Sequence, residues 1–126
     1  MQRIFATAIA VAGFASVAFA QMAPTMTGDS AKGKVLTDPK GMTLYIFDKD
    51  SDGKSACNGP CATNWPPLMA AADAKADTNY TIITRDDGSK QWAYKGKPLY
   101  GWVKDTKPGD TSGDGAANNS WHIAMP

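Results

Sequence analysis

The sequence predicts an all-β fold: a small pseudo-symmetric domain of two related β-hairpin-based repeats with long loops. Three observations lead to this prediction. One short motif occurs twice, a tryptophan closes each copy, and the composition suits strands and turns. All twelve acidic residues are Asp, and the chain has twelve Gly and eight Pro. Asp, Gly and Pro favour turns, whereas Glu, which is absent, favours helix interiors.

The repeated motif has the form G-x-x-L-Y-x-(aromatic)-x-x-D, and it spans residues 41–50 and 96–105. The closing tryptophan follows the motif tyrosine by 20 residues in the first copy and by 21 in the second. A unit used twice indicates one supersecondary structure that cannot bury its apolar face alone. The motif residues are Tyr45, Phe47, Asp50 and Trp65 in the first copy and Tyr100, Trp102, Asp105 and Trp121 in the second.

The first twenty residues have the pattern of a secretory signal peptide. Arg3 precedes an uncharged apolar run over 4–17, and Ala18-Phe19-Ala20 is a cleavage signature. An uncleaved membrane anchor is the alternative, but the run is short for an apolar core of about 30 Å. We therefore expect a mature chain that begins at Gln21, has no membrane span and is periplasmic or secreted.

The mature chain is long enough for one small domain. Residues 21–32 are expected to be a flexible N-terminal segment, and residues 33–126 a single β domain. Within that domain, repeat one covers about 33–69, a linker about 70–79, and repeat two about 80–126.

Repeat one is expected to open with a hairpin. A short strand over 34–37 leads into the turn Asp38-Pro39-Lys40-Gly41, in which Pro fixes φ and Gly allows a positive φ. The return strand over 42–47 is apolar on both faces, which predicts a central position between two layers. Its two faces carry Leu44 with Ile46, and Tyr45 with Phe47.

Repeat two is expected to open in the same way. Residues 81–85 and 90–95 flank Asp86-Asp87-Gly88-Ser89, which is a hairpin signal. A strand over 98–103, a long polar loop over 105–119 and a last strand over 120–124 should follow. In that last strand, Trp121 and Ile123 face one way and His122 the other.

Aromatic residues must supply much of the core, because the aliphatic residues are few. A buried aromatic ring removes roughly 150–250 Å² from water. We expect all four tryptophans to lie in or near the core; an aromatic platform for a sugar or other ligand is the alternative. They are Trp65, Trp92, Trp102 and Trp121.

Charge and residue types exclude several function classes. Without Arg3, twelve basic residues balance twelve acidic ones, so the chain lacks the basic face that nucleic acid requires. One His and no Glu leave few general bases, and no serine lies in a nucleophile motif. We therefore expect that the protein is not an enzyme. Asp50 and Asp105 directly follow strands, where a carboxylate accepts backbone N–H bonds of the next turn.

These residues carry a resemblance to a known family. The two motif copies, together with Cys57…Cys61 and Trp65-Pro66-Pro67-Leu68, resemble the secreted repeat family with the pattern Y-x-(F/W/Y)-x-x-D. The similarity covers roughly residues 33–125. It implies an exported protein of this fold unit and carries no established activity. Many members are lipoproteins, but Gln21 stands where a lipidated Cys would be needed, so we expect no lipid anchor.

Cys57 and Cys61 are the only cysteines, and an exported chain favours a disulfide between them. Two other hypotheses involve metals. Copper could bind Cys57, Cys61 and His122, since thiolate and imidazole suit copper. Calcium could bind weakly to the Asp-rich strings D-x-D-x-D-G and D-x-S-x-D-G, although neither has an acidic twelfth position. The candidate calcium ligands are Asp48, Asp50 and Asp52 in the first string and Asp110 and Asp114 in the second.

The sequence therefore predicts an exported, non-enzymatic envelope protein, which is a binding or structural module without a cofactor. Its partner would be an envelope component or a small ligand. A periplasmic metal-binding protein is the alternative, through either the copper or the calcium residues.

Overall fold

The computed structural model describes residues 24–51 and 53–126. Within them, short strands and two short helices alternate with turns, so the fold is all-β as predicted. The strands are β1 (Met26–Ser30), β2 (Gly33–Thr37), β3 (Tyr45–Phe47), β4 (Tyr80–Thr84), β5 (Lys90–Tyr94), β6 (Lys97–Pro98) and β7 (Trp121–Ile123); the helices are α1 (Pro60–Asn64) and α2 (Ala116–Asn119). The expected signal peptide and the cleavage site before Gln21 lie outside the described residues.

An antiparallel arrangement of four chain segments forms the centre of the fold. β7 pairs with β3, and Tyr45 of β3 also pairs with Tyr100. Tyr100 pairs in turn with Pro67. Each repeat therefore contributes one inner segment, which contains its motif tyrosine, and one outer segment, which follows its tryptophan. No helix within 24–51 or 53–126 is long and apolar enough to cross a membrane.

The hydrogen bonds of this centre obey a pseudo-twofold relation between the repeats. The N–H of Ala124 donates to the carbonyl of Leu44 at 2.9 Å, and the N–H of Leu68 donates to the carbonyl of Leu99 at 2.9 Å. Leu44 and Leu99 occupy the same place in the two motif copies. The two repeats thus have the same backbone pairing, and the predicted pseudo-symmetry is confirmed.

One hairpin flanks each side of the centre. The β1–β2 hairpin joins it through the N–H of Leu36, which donates to the carbonyl of Ala124 at 2.9 Å. The β4–β5 hairpin joins through the N–H of Trp92, which donates to the carbonyl of Leu68 at 2.8 Å. Each repeat is therefore a hairpin, a motif strand, a loop and a tryptophan strand, in that order.

The core divides into two clusters, and the alternating pattern of residues 42–47 determines the division. The aromatic cluster contains Tyr45 and takes Phe47 on its margin, whereas the aliphatic cluster contains Leu44 and takes Ile46 on its margin. The two-faced prediction for this strand is confirmed. Val103, at the end of the strand predicted over 98–103, belongs to neither cluster and is 50% exposed.

The flexible segment predicted over 21–32 is wrong for residues 26–30. These residues form β1, which pairs with β2 from Met26 opposite Thr37 to Ser30 opposite Gly33. The sequence of β1 has no apolar alternation, because the strand lies at an edge and backbone bonds hold it. A Cβ on Gly28 would lie 2.8 Å from Cγ2 of Thr37, so a small residue is needed there.

The loops contain two short helices where we expect irregular structure. Pro60 begins α1, and proline is well suited to a first helical turn because its missing N–H costs no bond there. Helix α2 is left-handed in part, with Ala117 at φ 53° and Asn118 at φ 59°. Neither helix contains a buried residue, so both are parts of surface loops.

Candidate functional site

The two motif tyrosines face each other at the local twofold axis. The N–H of Tyr45 donates to the carbonyl of Tyr100 at 2.8 Å, and the N–H of Tyr100 donates to the carbonyl of Tyr45 at 3.0 Å. Both side chains are fully buried. The same residue of each repeat therefore meets its counterpart, and the axis passes between them.

The tyrosine hydroxyls bind the aspartates of the opposite repeat. Tyr45 donates to Oδ2 of Asp105 at 2.6 Å, and Tyr100 donates to Oδ2 of Asp50 at 2.7 Å. Hydrogen bonds to an ionised carboxylate are shorter and stronger than those between neutral groups. Two reciprocal bonds of this kind lock the repeats together at the axis.

The second oxygen of each aspartate closes the loop that follows it. Oδ1 of Asp50 accepts the N–H of Ala56 at 2.7 Å. Oδ1 of Asp105 accepts both the N–H of Ser112, at 3.0 Å, and its hydroxyl, at 2.6 Å. The loop-closing role that the sequence predicts for the two aspartates is present, and the sequence does not reveal their bonds to the opposite tyrosines.

Burial determines the protonation behaviour of these groups. It raises the pKa of Tyr45, and the hydrogen bond to Asp105 raises it further. Burial also raises the pKa of Tyr100, whose bond to Asp50 acts in the same direction and whose bond with Ser55 acts against it. Both phenols therefore stay protonated far into the alkaline range.

These tyrosines predict a specific alkaline unfolding. In the unfolded chain a tyrosine ionises near pH 10, whereas in the folded chain the pKa is higher. The stabilisation is thus complete below about pH 10 and is lost as the pH rises toward the folded pKa. Tyrosinate absorbance and circular dichroism should change together in an alkaline titration. Complete ionisation of all four tyrosines in a chain that keeps its native dichroism would contradict the prediction.

Four aromatic rings form a column through the aromatic cluster. Trp65 stacks on Trp121 with ring centroids 3.8 Å apart and planes 2° apart. Trp102 stacks on the other side of Trp65 at 4.0 Å, and Phe47 on the other side of Trp121 at 4.2 Å. The column is symmetric in motif positions: the aromatic residue of each motif, Phe47 or Trp102, lies at an end, and the two closing tryptophans lie between them. The motif tyrosines contact the column edge-on, Tyr45 at Trp65 and Tyr100 at Trp121.

The column confirms that three of the four predicted tryptophans lie in or at the aromatic core. Trp65 and Trp121 are buried, at 5% and 2% exposure, and Trp102 packs on the margin. Trp92 packs instead on the margin of the aliphatic cluster. Gly113 allows the close approach of the loop, because a Cβ there would lie 2.7 Å from the ring of Trp65.

A buried arginine joins the loop of repeat one to the hairpin of repeat two, and sequence reasoning missed it. Arg85 is 5% exposed. Its Nη2 donates to the carbonyl of Cys57 at 2.6 Å, and its Nη1 donates to Ser55 at 3.0 Å and to Gln91 at 2.8 Å. The available signal is its place two residues after Ile83 in the strand predicted over 81–85, where alternate residues face the same way.

The arginine also reaches the axis through a chain of hydroxyl groups. Ser55 lies 2.6 Å from the hydroxyl of Tyr100, which donates to Asp50. Burial raises the pKa of Asp50, and the bonds from Ala56 and Tyr100 and the positive charge of Arg85 oppose that rise. A buried cation and a partly buried anion are thus linked by two hydroxyls rather than by direct contact.

The two cysteines form the predicted disulfide, Cys57 to Cys61. A disulfide sulfur is not a thiolate, so this state lacks the soft ligands of the copper hypothesis. His122 lies elsewhere, with Nε2 bonded to Oδ2 of Asp48 at 2.8 Å. The structure therefore does not bring together Cys57, Cys61 and His122.

The calcium candidates that the structure describes are engaged in other contacts. Asp48 pairs with His122, Asp114 pairs with Lys32 at 2.8 Å, and Asp110 accepts the N–H of Thr106. That bond and those from Lys107 lower the pKa of Asp110 to about 2. Asp52 lies outside the described residues. Among residues 24–51 and 53–126, no three His, Cys, Asp or Glu side chains are placed to hold a metal ion.

Two open grooves lie at related positions beside the central segments. The lysine-rimmed groove has a volume of about 220 Å³, and the tryptophan groove about 230 Å³. Four positions correspond between them through the pseudo-twofold relation. The lysine-rimmed groove is lined by Ile46, Tyr94, Lys95, Lys97, Ile123, Ala124 and Met125; the tryptophan groove is lined by Asp38, Met42, Leu44, Pro66, Pro67, Leu68, Gly101, Trp102 and Val103.

A family model described as a secreted repeat of unknown function matches residues 26–69 and again residues 81–125. The chain belongs to this secreted repeat family. The first matched stretch begins with β1, so this strand is part of repeat one. Membership in the secreted repeat family confirms the family resemblance predicted from the sequence and supports export. No curated protein and no solved structure matches the chain.

Proposed function

We propose that this member of the secreted repeat family is a non-enzymatic binding module of the cell envelope. The observation that carries the proposal is the use of the repeated motif. Its tyrosines, tryptophans and aspartates pair with one another inside the fold, so the motif builds the scaffold. The two grooves beside the central segments are the largely apolar surfaces that we propose for a ligand.

The proposal includes export to the periplasm by cleavage of the N-terminal twenty residues. Protein isolated from the periplasmic fraction should have an intact mass that corresponds to a chain beginning at Gln21. The reason is the Ala18-Phe19-Ala20 signature. A mass that retains residues 1–20 would overturn this part of the proposal, and a chain recovered from the cytoplasmic fraction would do so as well.

The lysine-rimmed groove is the better binding site of the two. Ile46, Ile123 and Met125 contribute apolar wall, and Met125 is 53% exposed. Lys95 and Lys97 stand at the rim, and neither forms an ion pair among the described residues. Lys95 Nζ lies over the ring of Tyr94, 5.1 Å from its centroid, so its charge has an aromatic contact but no carboxylate partner. An apolar wall beside two cations without an ion pair is complementary to an amphiphilic anion, which has an alkyl chain and a carboxylate or phosphate head.

The tryptophan groove provides the internal comparison. Met42 occupies the position that Lys97 has in the other groove, and no basic residue lines it. Asp38 lies there instead. An anion is therefore expected in one groove and not in the other, although both have apolar walls of similar size.

Calorimetric titration with a medium-chain fatty acid anion should detect binding, with the neutral alcohol of the same chain length as the reference ligand. Met125→Asp should abolish binding of the anion, because it places a negative charge in the groove. Met69→Asp is the matched control: Met69 is the counterpart of Met125 and is 52% exposed. Lys97→Met should lower the affinity for the anion by roughly two- to fivefold, as expected for the loss of an exposed charge pair.

Two results would overturn the ligand assignment. One is equal affinity for the acid and the alcohol, and the other is equal loss of binding in Met125→Asp and Met69→Asp. A higher salt concentration should also lower the affinity for the anion, since exposed charges are screened over roughly 8–10 Å near physiological ionic strength.

A further inference from the structure

The aromatic column contains three stacked tryptophans in unbroken contact. Trp102, Trp65 and Trp121 follow one another with centroid separations of 4.0 and 3.8 Å. Indole is among the most easily oxidised side-chain groups, and stacked rings at van der Waals contact exchange an electron readily. The column therefore has the geometry of a path for an oxidising equivalent.

Each inner tryptophan contacts a tyrosine that has its own proton acceptor. The ring of Tyr45 packs against the edge of Trp65, with ring centroids 5.4 Å apart. Its hydroxyl donates a hydrogen bond to Oδ2 of Asp105 at 2.6 Å. Oxidation of a phenol to its neutral radical includes loss of the hydroxyl proton, because the oxidised phenol is a very strong acid. A carboxylate already hydrogen-bonded to the hydroxyl is placed to take that proton.

The two ends of the column differ in chemistry. Phe47 closes one end, and its ring is not oxidised by agents that oxidise indole. Trp102 closes the other end and lines the open tryptophan groove together with Pro66 and Val103. An external oxidant can therefore reach the column at Trp102.

We propose that the aromatic column is a one-electron relay, through which an external one-electron oxidant at Trp102 oxidises the buried tyrosine Tyr45. This activity is distinct from the proposed ligand binding and does not depend on it. For an exported protein, such a relay would move oxidising equivalents from the surface into a protected position.

The electron and proton balance is simple. The oxidant takes one electron from Trp102, Trp65 re-reduces Trp102, and Tyr45 re-reduces Trp65. As Tyr45 gives up its electron, its hydroxyl proton moves to Oδ2 of Asp105. The net change converts the oxidant, the phenol and the carboxylate into the reduced oxidant, a neutral tyrosyl radical and a carboxylic acid. A one-electron reductant at Trp102 reverses every step.

Laser flash photolysis of the full mature chain with a ruthenium tris-bipyridine complex and an electron-accepting quencher tests the relay. The photogenerated Ru(III) complex is a bulky one-electron oxidant that cannot enter the core. Tyr80→Phe, Tyr94→Phe and Tyr100→Phe are introduced first, so that Tyr45 is the one remaining tyrosine of the mature chain. We expect a transient tryptophan radical that decays into a tyrosyl radical, and this decay should be slower in deuterium oxide.

Trp102→Phe is the decisive variant, because repeat one already has Phe at the equivalent column position. It should keep the fold and abolish the tyrosyl signal. Trp92→Phe is the matched control: Trp92 is also partly buried but packs on the aliphatic cluster, so the signal should persist. If Trp102→Phe does not fold, Phe47→Trp opens the other end and should increase the tyrosyl yield.

Several outcomes would overturn the relay. An unchanged tyrosyl yield in folded Trp102→Phe would show that the oxidant reaches Tyr45 by another path. Equal losses in Trp92→Phe and Trp102→Phe would do the same. Formation of the tyrosyl radical at the same rate in water and in deuterium oxide would contradict the proposed proton transfer to Asp105.

Discussion

Replacement of Tyr45 or Tyr100 by alanine should lower the free energy of unfolding by about 3–5 kcal/mol each. Both rings are fully buried at the twofold axis, and each contacts a tryptophan of the column. Truncation would leave a cavity between the repeats and an aspartate oxygen without its donor. Chemical denaturation followed by tryptophan fluorescence gives the measurement. An unchanged midpoint for either variant would contradict the burial on which the prediction rests.

A double-mutant cycle can show that the tyrosine–aspartate bonds cross between repeats. Tyr45→Phe should cost about 1.5–3 kcal/mol, the range for a hydrogen bond to a charged group. Combined with Asp105→Asn, its cost should be far from additive, because the two groups share one bond. Combined with Asp50→Asn it should be additive, although Asp50 belongs to the same repeat as Tyr45. Coupling with Asp50 instead would contradict the crossed arrangement.

Arg85→Met should lower the free energy of unfolding by about 3 kcal/mol or more. Methionine retains much of the volume, but the carbonyl of Cys57 and the side chain of Gln91 lose their donor. Each buried polar group left without a partner costs roughly 1–3 kcal/mol. Lys90→Met, on the next strand of the same hairpin and exposed, is the control and should have little effect. Urea denaturation of both variants gives the comparison.

The cost of Arg85→Met should also depend on pH. The positive charge of Arg85 opposes the rise in the pKa of Asp50, so its removal raises that pKa further. A group whose folded pKa is raised stabilises the fold below its unfolded pKa and loses that contribution as the pH rises. The variant should therefore lose more stability at neutral pH than below about pH 4, where Asp50 is protonated in both the folded and the unfolded chain. A pH-independent difference would mean that the arginine acts through its hydrogen bonds alone.

Much of the fold could be read from local pattern. The doubled motif predicts two equivalent units, because identical spacing requires similar local structure. The turn at 86–89 predicts the β4–β5 hairpin, and the pattern over 42–47 predicts which side chains face which cluster. The disulfide follows from two cysteines in an exported chain. In each case the signal lies within a few residues along the chain.

The remaining features depend on contacts between distant residues. Nothing near Tyr45 in sequence shows that its partner is Asp105 rather than Asp50, since both aspartates follow a motif strand. Arg85 is charged and adjacent to a turn, which predicts exposure, and its burial depends on polar groups that repeat one supplies. β1 is an edge strand held by backbone bonds, so its side chains carry no periodic signal.

The crossed bonds at the axis also constrain how such a chain can change over generations. A duplicated segment is ordinarily free to diverge in one copy while the other keeps its original role. Here the aspartate of each copy accepts a hydrogen bond from the tyrosine of the other, so a substitution of either aspartate removes a bond of the other copy. Selection is therefore expected to act on the two copies as a single inherited unit, with compensating changes across the duplication as well as within each half.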